Sequence, residues 1–163
     1  MTTPGTWEQA TVDDVMTTSL LTVAADESIL LAYELASRAG VHHLPVMSDG
    51  SCVGVVDIKT LRSWSMAPLA AARPTVGELA DLSRLSIESG RPIGEGARLM
   101  DEANADAVLV LDASGTLVGM VTWRDIVRFV AGVHRTPGPT RSHPVLFSLE
   151  PVIQIHDDAA GQE

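Results

Sequence analysis

The feature that most constrains the fold of this 163-residue chain is an internal repeat. The segment TVDDVM, which begins at Thr11, matches TVGELA, which begins at Thr75, at a spacing of 64 positions. The segment GVV at Gly54 matches GMV at Gly119 at a spacing of 65 positions, so one loop is a residue longer in the second copy. A period of this size indicates that one supersecondary unit occurs twice and that its copies share a core.

Each copy shows the pattern of a strand, a helix, a hairpin and a final helix. The hairpin strands are short apolar runs joined by turn residues, SDG in the first copy and ASG in the second. A repeat of about 60 residues buries so little surface that it would be only marginally stable alone. We therefore predict an α/β (α+β) fold with tandem β-α-β-β-α repeats packed sheet to sheet. The predicted strands are Leu20–Val23, His42–Met47, Cys52–Val56, Leu85–Ile87, Ala107–Leu111 and Leu117–Val121.

The helix that follows the first strand of each copy has apolar residues at helical spacing. In the first copy, we expect this helix to begin near the capping residue Asp26 and to end at Gly40. In the second copy, we expect it to begin near Pro92 and to end near Asn104.

These elements divide the chain into predicted segments. They are a flexible N-terminus (1–10), a first repeat (11–69), a linker (70–74), a second repeat (75–133) and a breaker-rich C-terminal tail (134–163). Within the tail, the runs Val145–Leu149 and Pro151–His156 are candidates for one or two edge strands.

Composition argues against several functional classes. The net charge of −10 argues against a nucleic-acid partner, because phosphate backbones bind clustered Lys and Arg. No apolar run reaches the roughly 20 residues of a membrane span, and the N-terminus has no signal-peptide pattern, so we expect a cytoplasmic protein. The single cysteine, Cys52, rules out an internal disulfide and is predicted to be a small buried side chain. No metal site, catalytic residue or cofactor is indicated, so we do not expect an enzyme.

The most informative segment is GMVTWRDI, where a predicted strand meets a helix. Thr122 and Asp125 have the spacing of a capping box, in which each side chain bonds to the other residue's backbone N–H. The same residues also suit a ligand. A carboxylate accepts hydrogen bonds from the vicinal hydroxyls of a ribose, and a helix N-terminus favours an anionic group. The residues alone leave both interpretations open.

With these features in register, the sequence resembles the paired CBS domains, named for cystathionine β-synthase, over roughly residues 11–133. The resemblance rests on the order of elements, on VDDVMT at Val12, on GMVTWRD at Gly119 and on GVHHLPV at Gly40. It implies a regulatory CBS-domain pair, or Bateman module, that binds AMP, ADP, ATP or S-adenosylmethionine in a cleft between the repeats. An AMP-like ligand is favoured. The resemblance also implies a homodimer, and an unidentified protein partner is an additional possibility.

Carried over to this chain, the resemblance assigns ribose binding to Thr122 and Asp125. The first and second strands of the first repeat would contact the adenine and the phosphate. Met120 would line the base pocket, and Arg124 would assist the phosphate. The implied nucleotide-binding residues are Thr122, Asp125, Met120, Leu20, Leu21, His42, His43, Pro45 and Arg124.

A second cleft, called the mirror cleft, arises when the two repeats exchange their roles. We expect it not to bind a nucleotide. Its ribose positions, Asp57 and Thr60, occur in reversed order, and Asp106 in the facing segment would repel a phosphate. We therefore expect one competent cleft per chain.

Two alternatives remain open at the level of sequence. A histidine pair beside a turn is often a surface or core detail, and adjacent strand residues such as His42 and His43 point to opposite faces. The TWRD segment also suits a non-sensing structural or interaction module, in which it only caps a helix.

Overall fold

The computed structural model describes residues 6–68, 73–80, 85–133 and 145–148. The helices are α1 (Thr6–Gln9), α2 (Ile29–Ala39), α3 (Ile58–Ser65), α4 (Val76–Leu79), α5 (Ile93–Ala103) and α6 (Trp123–Val130). The strands are β1 (Ser19–Ala24), β2 (His43–Ser48), β3 (Ser51–Asp57), β4 (Ser86–Glu88), β5 (Ala107–Leu111), β6 (Leu117–Thr122) and β7 (Val145–Ser148). The β-α-β-β-α order predicted for each repeat is confirmed.

The two repeats have the same sheet topology. The first sheet has the order β3-β2-β1-β7 and the second the order β4-β5-β6. In each repeat the hairpin is antiparallel and the first strand joins it in parallel. An irregularity in register interrupts each hairpin at the same place, between Val46 and Met47 and between Val110 and Leu111. The internal repeat thus extends to a local distortion of the strands.

The two sheets pack face to face, as predicted. Their contact is a cluster of buried apolar side chains from both repeats, which excludes water from the space between the sheets. The members are Leu20, Cys52, Val55, Ala107, Leu109, Leu117 and Met120. Cys52 is the buried residue that its apolar surroundings predicted, and burial raises the pKa of its thiol.

The segment that opens each repeat packs in the core of the other repeat, an arrangement called the crossover below. Val12 is fully buried in the core of the second repeat, and its N–H donates to the carbonyl of Arg91 at 2.9 Å. Val76 is fully buried in the core of the first repeat, and its N–H donates to the carbonyl of Glu27 at 3.2 Å. Because each core is completed by the other repeat's opening segment, the two repeats stabilise each other.

The start of α2 differs from the prediction. Ser28 is the N-cap, and its Oγ accepts a hydrogen bond from the N–H of Leu31 at 3.2 Å. Asp26 lies in the turn after β1, too far from the first helical residue, Ile29, to be its cap. The predicted end at Gly40 is confirmed, since this residue has the left-handed conformation with φ of 66°.

Local turn chemistry accounts for other boundaries. The predicted hairpin turn between β2 and β3 has positive φ at Asp49 and Gly50, 49° and 77°, the geometry of a tight hairpin. In the second repeat, α5 ends at Asn104, as predicted, in the left-handed conformation. Pro92 occupies its N-cap position.

Structure is also present outside the two repeats. The segment that was expected to be flexible includes α1, and Ala10 after it is buried in the second repeat's core. In the C-terminal tail, β7 forms an edge strand within the run Val145–Leu149. The run Pro151–His156 and most of the linker lie outside the described residues. None of the helices that the structure describes is long and apolar enough to cross a membrane.

Candidate functional site

The site predicted from the TWRD segment lies where β6 ends and α6 begins. Thr122 is the N-cap of α6, and its Oγ1 accepts from the N–H of Asp125 at 3.3 Å. The backbone N–H and the Oγ1–H of Thr122 both donate to Asp125 Oδ2, at 2.9 and 2.6 Å. The predicted capping box is therefore present. The Asp125 side chain is only 8% exposed, so a carboxylate is held almost out of solvent at a helix N-terminus.

The first repeat contains the same two groups in reverse order. Asp57 is the N-cap of α3, and its carboxylate accepts from the N–H and the hydroxyl of Thr60, both at 2.8 Å. Asp57 therefore caps the start of α3. Each repeat thus places a carboxylate and a hydroxyl at the junction of its last strand and helix.

The predicted base-binding residues divide between two faces of the first sheet. Leu20 is buried between the sheets in the same cluster as Met120, from β6. Leu21 lies on the opposite face of β1 and packs against the core of the first repeat. Pro45 is fully buried in β2. The structure therefore brings Leu20 and Met120 together and directs the side chain of Leu21 elsewhere.

The two histidines differ in environment. His42 is exposed just before β2, and its carbonyl accepts from the N–H of Ile58 at 2.8 Å. His43 is half-buried and lies opposite Asp57 in the ladder between β2 and β3. Burial lowers the pKa of His43, although Asp57 and Asp106 act in the opposite direction. His43 is consequently neutral at pH 7, and a favourable charge interaction with a phosphate is confined to more acidic solution.

A salt bridge that the sequence analysis missed connects the repeats. Lys59, in the first turn of α3, donates from Nζ to Oδ2 of Asp106 at 2.9 Å. The hydrogen bond to Asp106 raises the pKa of Lys59, and the same bond lowers the pKa of Asp106. The expected repulsion of a phosphate by Asp106 needs correction, because its charge is already paired.

The repeat itself held a signal for this contact. Lys59 follows the N-cap Asp57 by two positions, as Arg124 follows the N-cap Thr122. Asp106 directly precedes β5, as His42 directly precedes β2. Lys59 and Asp106 are therefore the repeat equivalents of Arg124 and His42. Arg124 is exposed, like His42.

An open depression of about 200 Å³ lies beside the second repeat's helices. Its lining includes Asp101, Asn104, Asp106 and Trp123, but neither Thr122 nor Asp125. It therefore does not coincide with the cleft predicted from the sequence, where Leu20 and Met120 are packed together. Among the residues that the structure describes, no group of three or more His, Cys, Asp or Glu side chains could hold a metal ion.

Comparison with protein families gives two matches along the chain. The model of the CBS domain matches residues 12–67 and 76–132. Among solved structures, the chain is similar to the CBS domain pair of protein MJ0100 in complex with 5′-methylthioadenosine and S-adenosyl-L-methionine. That likeness has a TM-score of 0.65 and 25% identity, and it covers 77% of this chain and 98% of the other. CBSX2 in complex with AMP also gives a TM-score of 0.65, at 30% identity and the same coverages.

Curated relatives fall into two groups. A CBS domain-containing protein of Dictyostelium discoideum is 28% identical over 127 residues, which are 71% of this chain and 88% of that protein. The L-aspartate semialdehyde sulfurtransferase of Methanocaldococcus jannaschii is 28% identical over 74% of this chain, but over 23% of the enzyme. The homoserine O-acetyltransferase of Methanosarcina acetivorans is 29% identical over 71% of this chain and 21% of the enzyme. The chain thus spans less than a quarter of either enzyme.

Proposed function

The chain belongs to the CBS domain family, and from this premise we propose that it is a regulatory module that binds one adenosine-containing nucleotide between its repeats. The observation that carries the proposal is the nearly buried carboxylate of Asp125, bonded to Thr122 at the N-terminus of α6. Two similar domain pairs have been solved with AMP or with S-adenosylmethionine and methylthioadenosine, ligands that share an adenosine. We favour an AMP-like ligand.

Ribose recognition is assigned to Thr122 and Asp125. An ionised carboxylate accepts hydrogen bonds from two vicinal hydroxyls, and such charge-assisted bonds are stronger than neutral ones. Capping and ribose binding are compatible roles. The capping box holds the Asp125 side chain in place before the ligand arrives, which reduces the conformational entropy that binding would cost.

Phosphate recognition is assigned to Arg124 and His42. Their repeat equivalents, Lys59 and Asp106, meet across the two repeats. In the other cleft, the equivalent contact would bring the Arg124 guanidinium toward His42. The position that Asp106 occupies in the mirror cleft is there taken by His42, which is not acidic. One cleft would then offer an unneutralised cation to a phosphate, whereas the cation of the mirror cleft is already paired. This asymmetry is our reason for proposing one competent cleft per chain.

The adenine would enter between the sheets, against Leu20 and Met120, with Pro45 in the wall of the cleft. The side chains of Leu20 and Met120 pack in one cluster, so they must separate when the base enters. Leu21 and His43 lie nearby in sequence, but their side chains contact the base and the phosphate less directly in this proposal. The proposal includes no catalytic step, cofactor or nucleic-acid partner, and it keeps the cytoplasmic location.

Signalling would pass through a homodimer or through a separate protein partner. The outer face of α6 carries three exposed apolar side chains at helical spacing, Trp123, Val127 and Val130. A stripe of this kind on a surface helix suits a second copy of the chain. We propose that this face of α6 forms the dimer contact.

The second candidate is a non-sensing structural module. It is favoured by the packing of Leu20 and Met120 in one buried cluster between the sheets. These side chains fill the space that the base would occupy. In that case Thr122 and Asp125 only cap α6. The two candidates differ in whether Asp125 contributes to ligand affinity beyond its contribution to stability.

The deciding experiment is isothermal titration of AMP, ADP, ATP and S-adenosylmethionine into the native chain, Asp125→Ala and a matched control. The control is Glu78→Ala, which removes the equivalent capping box of α4, where Glu78 accepts from the N–H of Thr75 at 2.6 Å. We expect one adenosine ligand per chain for the native protein and the control. Loss of a charged hydrogen-bond partner should weaken binding by about 10- to 100-fold in Asp125→Ala. Equal binding by Asp125→Ala, or none by the native chain, would favour the structural module.

A further inference from the structure

The C-terminal strand β7 pairs with the part of β1 that the proposed site uses. The two strands are parallel, with Leu20 opposite Leu146 and Leu21 opposite Phe147. The ladder begins at Ser19 and ends at Thr22. The register between β1 and β2 covers the two residues that follow, Val23 and Ala24. In the described residues, strand pairing in the first four positions of β1 is therefore supplied by β7.

The start of β1 is also held by the second repeat. The N–H of Thr17 donates to the carbonyl of Met120 at 2.8 Å, and the N–H of Met120 donates to the carbonyl of Thr17 at 3.0 Å. Leu20, three residues later, packs in the same cluster as Met120. Contacts from β6 and β7 thus hold β1 where Leu20 and Met120 must separate to admit a base.

We propose that β7 is a strap that keeps the base-binding part of the cleft closed and that must loosen from Ser19–Thr22 before an adenosine ligand binds tightly. This inference rests on the proposed function, because it assigns a purpose to the contact between β7 and the residues next to Leu20. The ligand that competes with the strap is the adenine ring, whose nitrogen atoms form hydrogen bonds of the kind that strand backbone groups offer.

The position of β7 in the chain supports this role. Among the elements that the structure describes, it follows α6, the helix that has Thr122 as its N-cap and Asp125 in its first turn. The ribose-binding helix and the strap are therefore consecutive in the described part of the chain. The equivalent first strand of the second repeat, β4, pairs with β5 at the edge of a three-stranded sheet in the part of the chain that the structure describes. The additional strand thus lies on the repeat that supplies Leu20.

A short edge strand is suited to reversible release. β7 has four residues, fewer than the five or six of a usual strand. Local opening of such an element requires less free energy than global unfolding. If the ligand binds only the open form, the apparent affinity is the intrinsic affinity multiplied by the open fraction. A strap that is open one-tenth of the time would weaken binding about tenfold.

Proline substitutions in the full-length chain test the strap. Successive N–H groups of a strand point to opposite sides, so Leu146→Pro and Phe147→Pro differ in whether they remove a donor that faces β1. One variant should release the strap, and the other is its matched control. For both variants and the native chain, AMP affinity is measured by isothermal titration and amide hydrogen exchange is followed at residues 19–22.

We expect one proline variant to show faster exchange at residues 19–22 and at least threefold tighter AMP binding than the native chain. Faster exchange with unchanged or weaker AMP binding would overturn the strap and leave the proposed function intact. Native exchange rates in both variants would also overturn it, because β7 would then not protect β1. If neither the native chain nor any variant binds AMP, the strap and the AMP-sensing function both fail.

Discussion

Lys59 in the first repeat and Asp106 in the second meet at 2.9 Å, between Nζ and Oδ2, across a separation of 47 positions in sequence. Under the proposed function, this pair stands at the repeat equivalents of Arg124 and His42, the residues to which phosphate binding is assigned in the other cleft. It links two repeats that already complete each other's cores through Val12 and Val76. A charged pair therefore distinguishes the two clefts of an otherwise repeated architecture.

The first prediction concerns the effect of this salt bridge on stability. Both side chains are well exposed, Lys59 at 80% and Asp106 at 57%, so water and salt screen their attraction. We expect Asp106→Asn to lower the melting temperature by less than about 3 °C at low ionic strength. The difference should shrink further in 0.5 M salt, about the concentration at which screening becomes strong.

Thermal unfolding followed by circular dichroism at two salt concentrations measures this difference. Glu102→Gln, which removes an exposed acidic charge from α5, is the control for the change in net charge. A larger fall in melting temperature that salt does not reduce would contradict the prediction. It would indicate that Asp106 is structural for another reason.

The second prediction concerns the stability of the protein in mild acid. Burial lowers the pKa of His43 in the folded chain below the usual value of about 6.5. The unfolded chain therefore binds a proton at a higher pH than the folded chain does. The neutral His43 thus favours folding above about pH 6.5, and this contribution is lost as the pH falls from that value through the folded pKa.

Urea unfolding at pH 7.5 and pH 5.5 tests this contribution. The free energy of unfolding of the native chain should fall between the two pH values, and it should fall less in His43→Gln. His42→Gln is the comparison variant, because the charge of His42 only adds to the lowering of the His43 pKa that burial causes. It should reduce the pH dependence less than His43→Gln does. An equal slope in the native chain and in His43→Gln would show that burial of His43 does not control stability in acid.

The sequence predicted those parts of the fold that depend on local chemistry. Turn residues such as Asp49 and Gly50, and the helix end at Asn104, determine backbone geometry within a few positions. Short apolar runs predicted the strands, because they too are patterns of neighbouring residues. The cap of α2 was misplaced because Asp26 and Ser28 are both good capping residues, and the helix start decides between them.

The sequence did not predict which repeat each opening segment packs against. Val12 and Val76 occupy matching positions of the repeat, but the repeat contains no information about the core in which each of them is buried. The pairing of Lys59 with Asp106 and the parallel register of β7 on β1 are long-range in the same sense. The capping box of Thr122 was predictable because both residues lie within one helical turn. Strand alternation places Leu20 and Leu21 on opposite faces of β1, but it does not determine which of the two faces the cleft.

The third prediction tests the crossover of the opening segments with a pair of glycines. A Cβ at Gly77 would lie 2.8 Å from the Cβ and 2.9 Å from the carbonyl oxygen of Ala25, so backbone would have to move. We expect Gly77→Ala to reduce the free energy of unfolding by about 1–3 kcal/mol through overpacking. Gly94→Ala is the control, because Gly94 is inside α5 with open space around it. That variant should gain up to about 1 kcal/mol from helix propensity.

Chemical denaturation measures whether each substitution lowers or raises the free energy of unfolding. A Gly77→Ala variant as stable as the native chain would mean that the opening segment of the second repeat does not pack against the turn after β1 in solution. Destabilisation by Gly94→Ala would instead mean that α5 is not a regular helix at that position. The two outcomes are independent, since the glycines lie on different elements.

The last prediction concerns the outer face of α6. Val130 is 67% exposed and follows Val127 and Trp123 along one face, while Ile126 and Phe129 pack inward against the second repeat's core. If the outer face is the dimer contact, a charge placed there would be buried without a partner in the dimer and solvated in the monomer. We expect Val130→Glu to form monomers at micromolar concentrations at which the native chain is dimeric, while its melting curve shows a folded protein.

Light scattering after size-exclusion chromatography measures the mass directly. The matched control is Leu30→Glu, because Leu30 is an exposed apolar residue of α2, 51% exposed, outside this face. A native chain that is already monomeric, or a Val130→Glu variant that stays dimeric, would remove α6 from the dimer contact and would favour signalling through a separate protein partner.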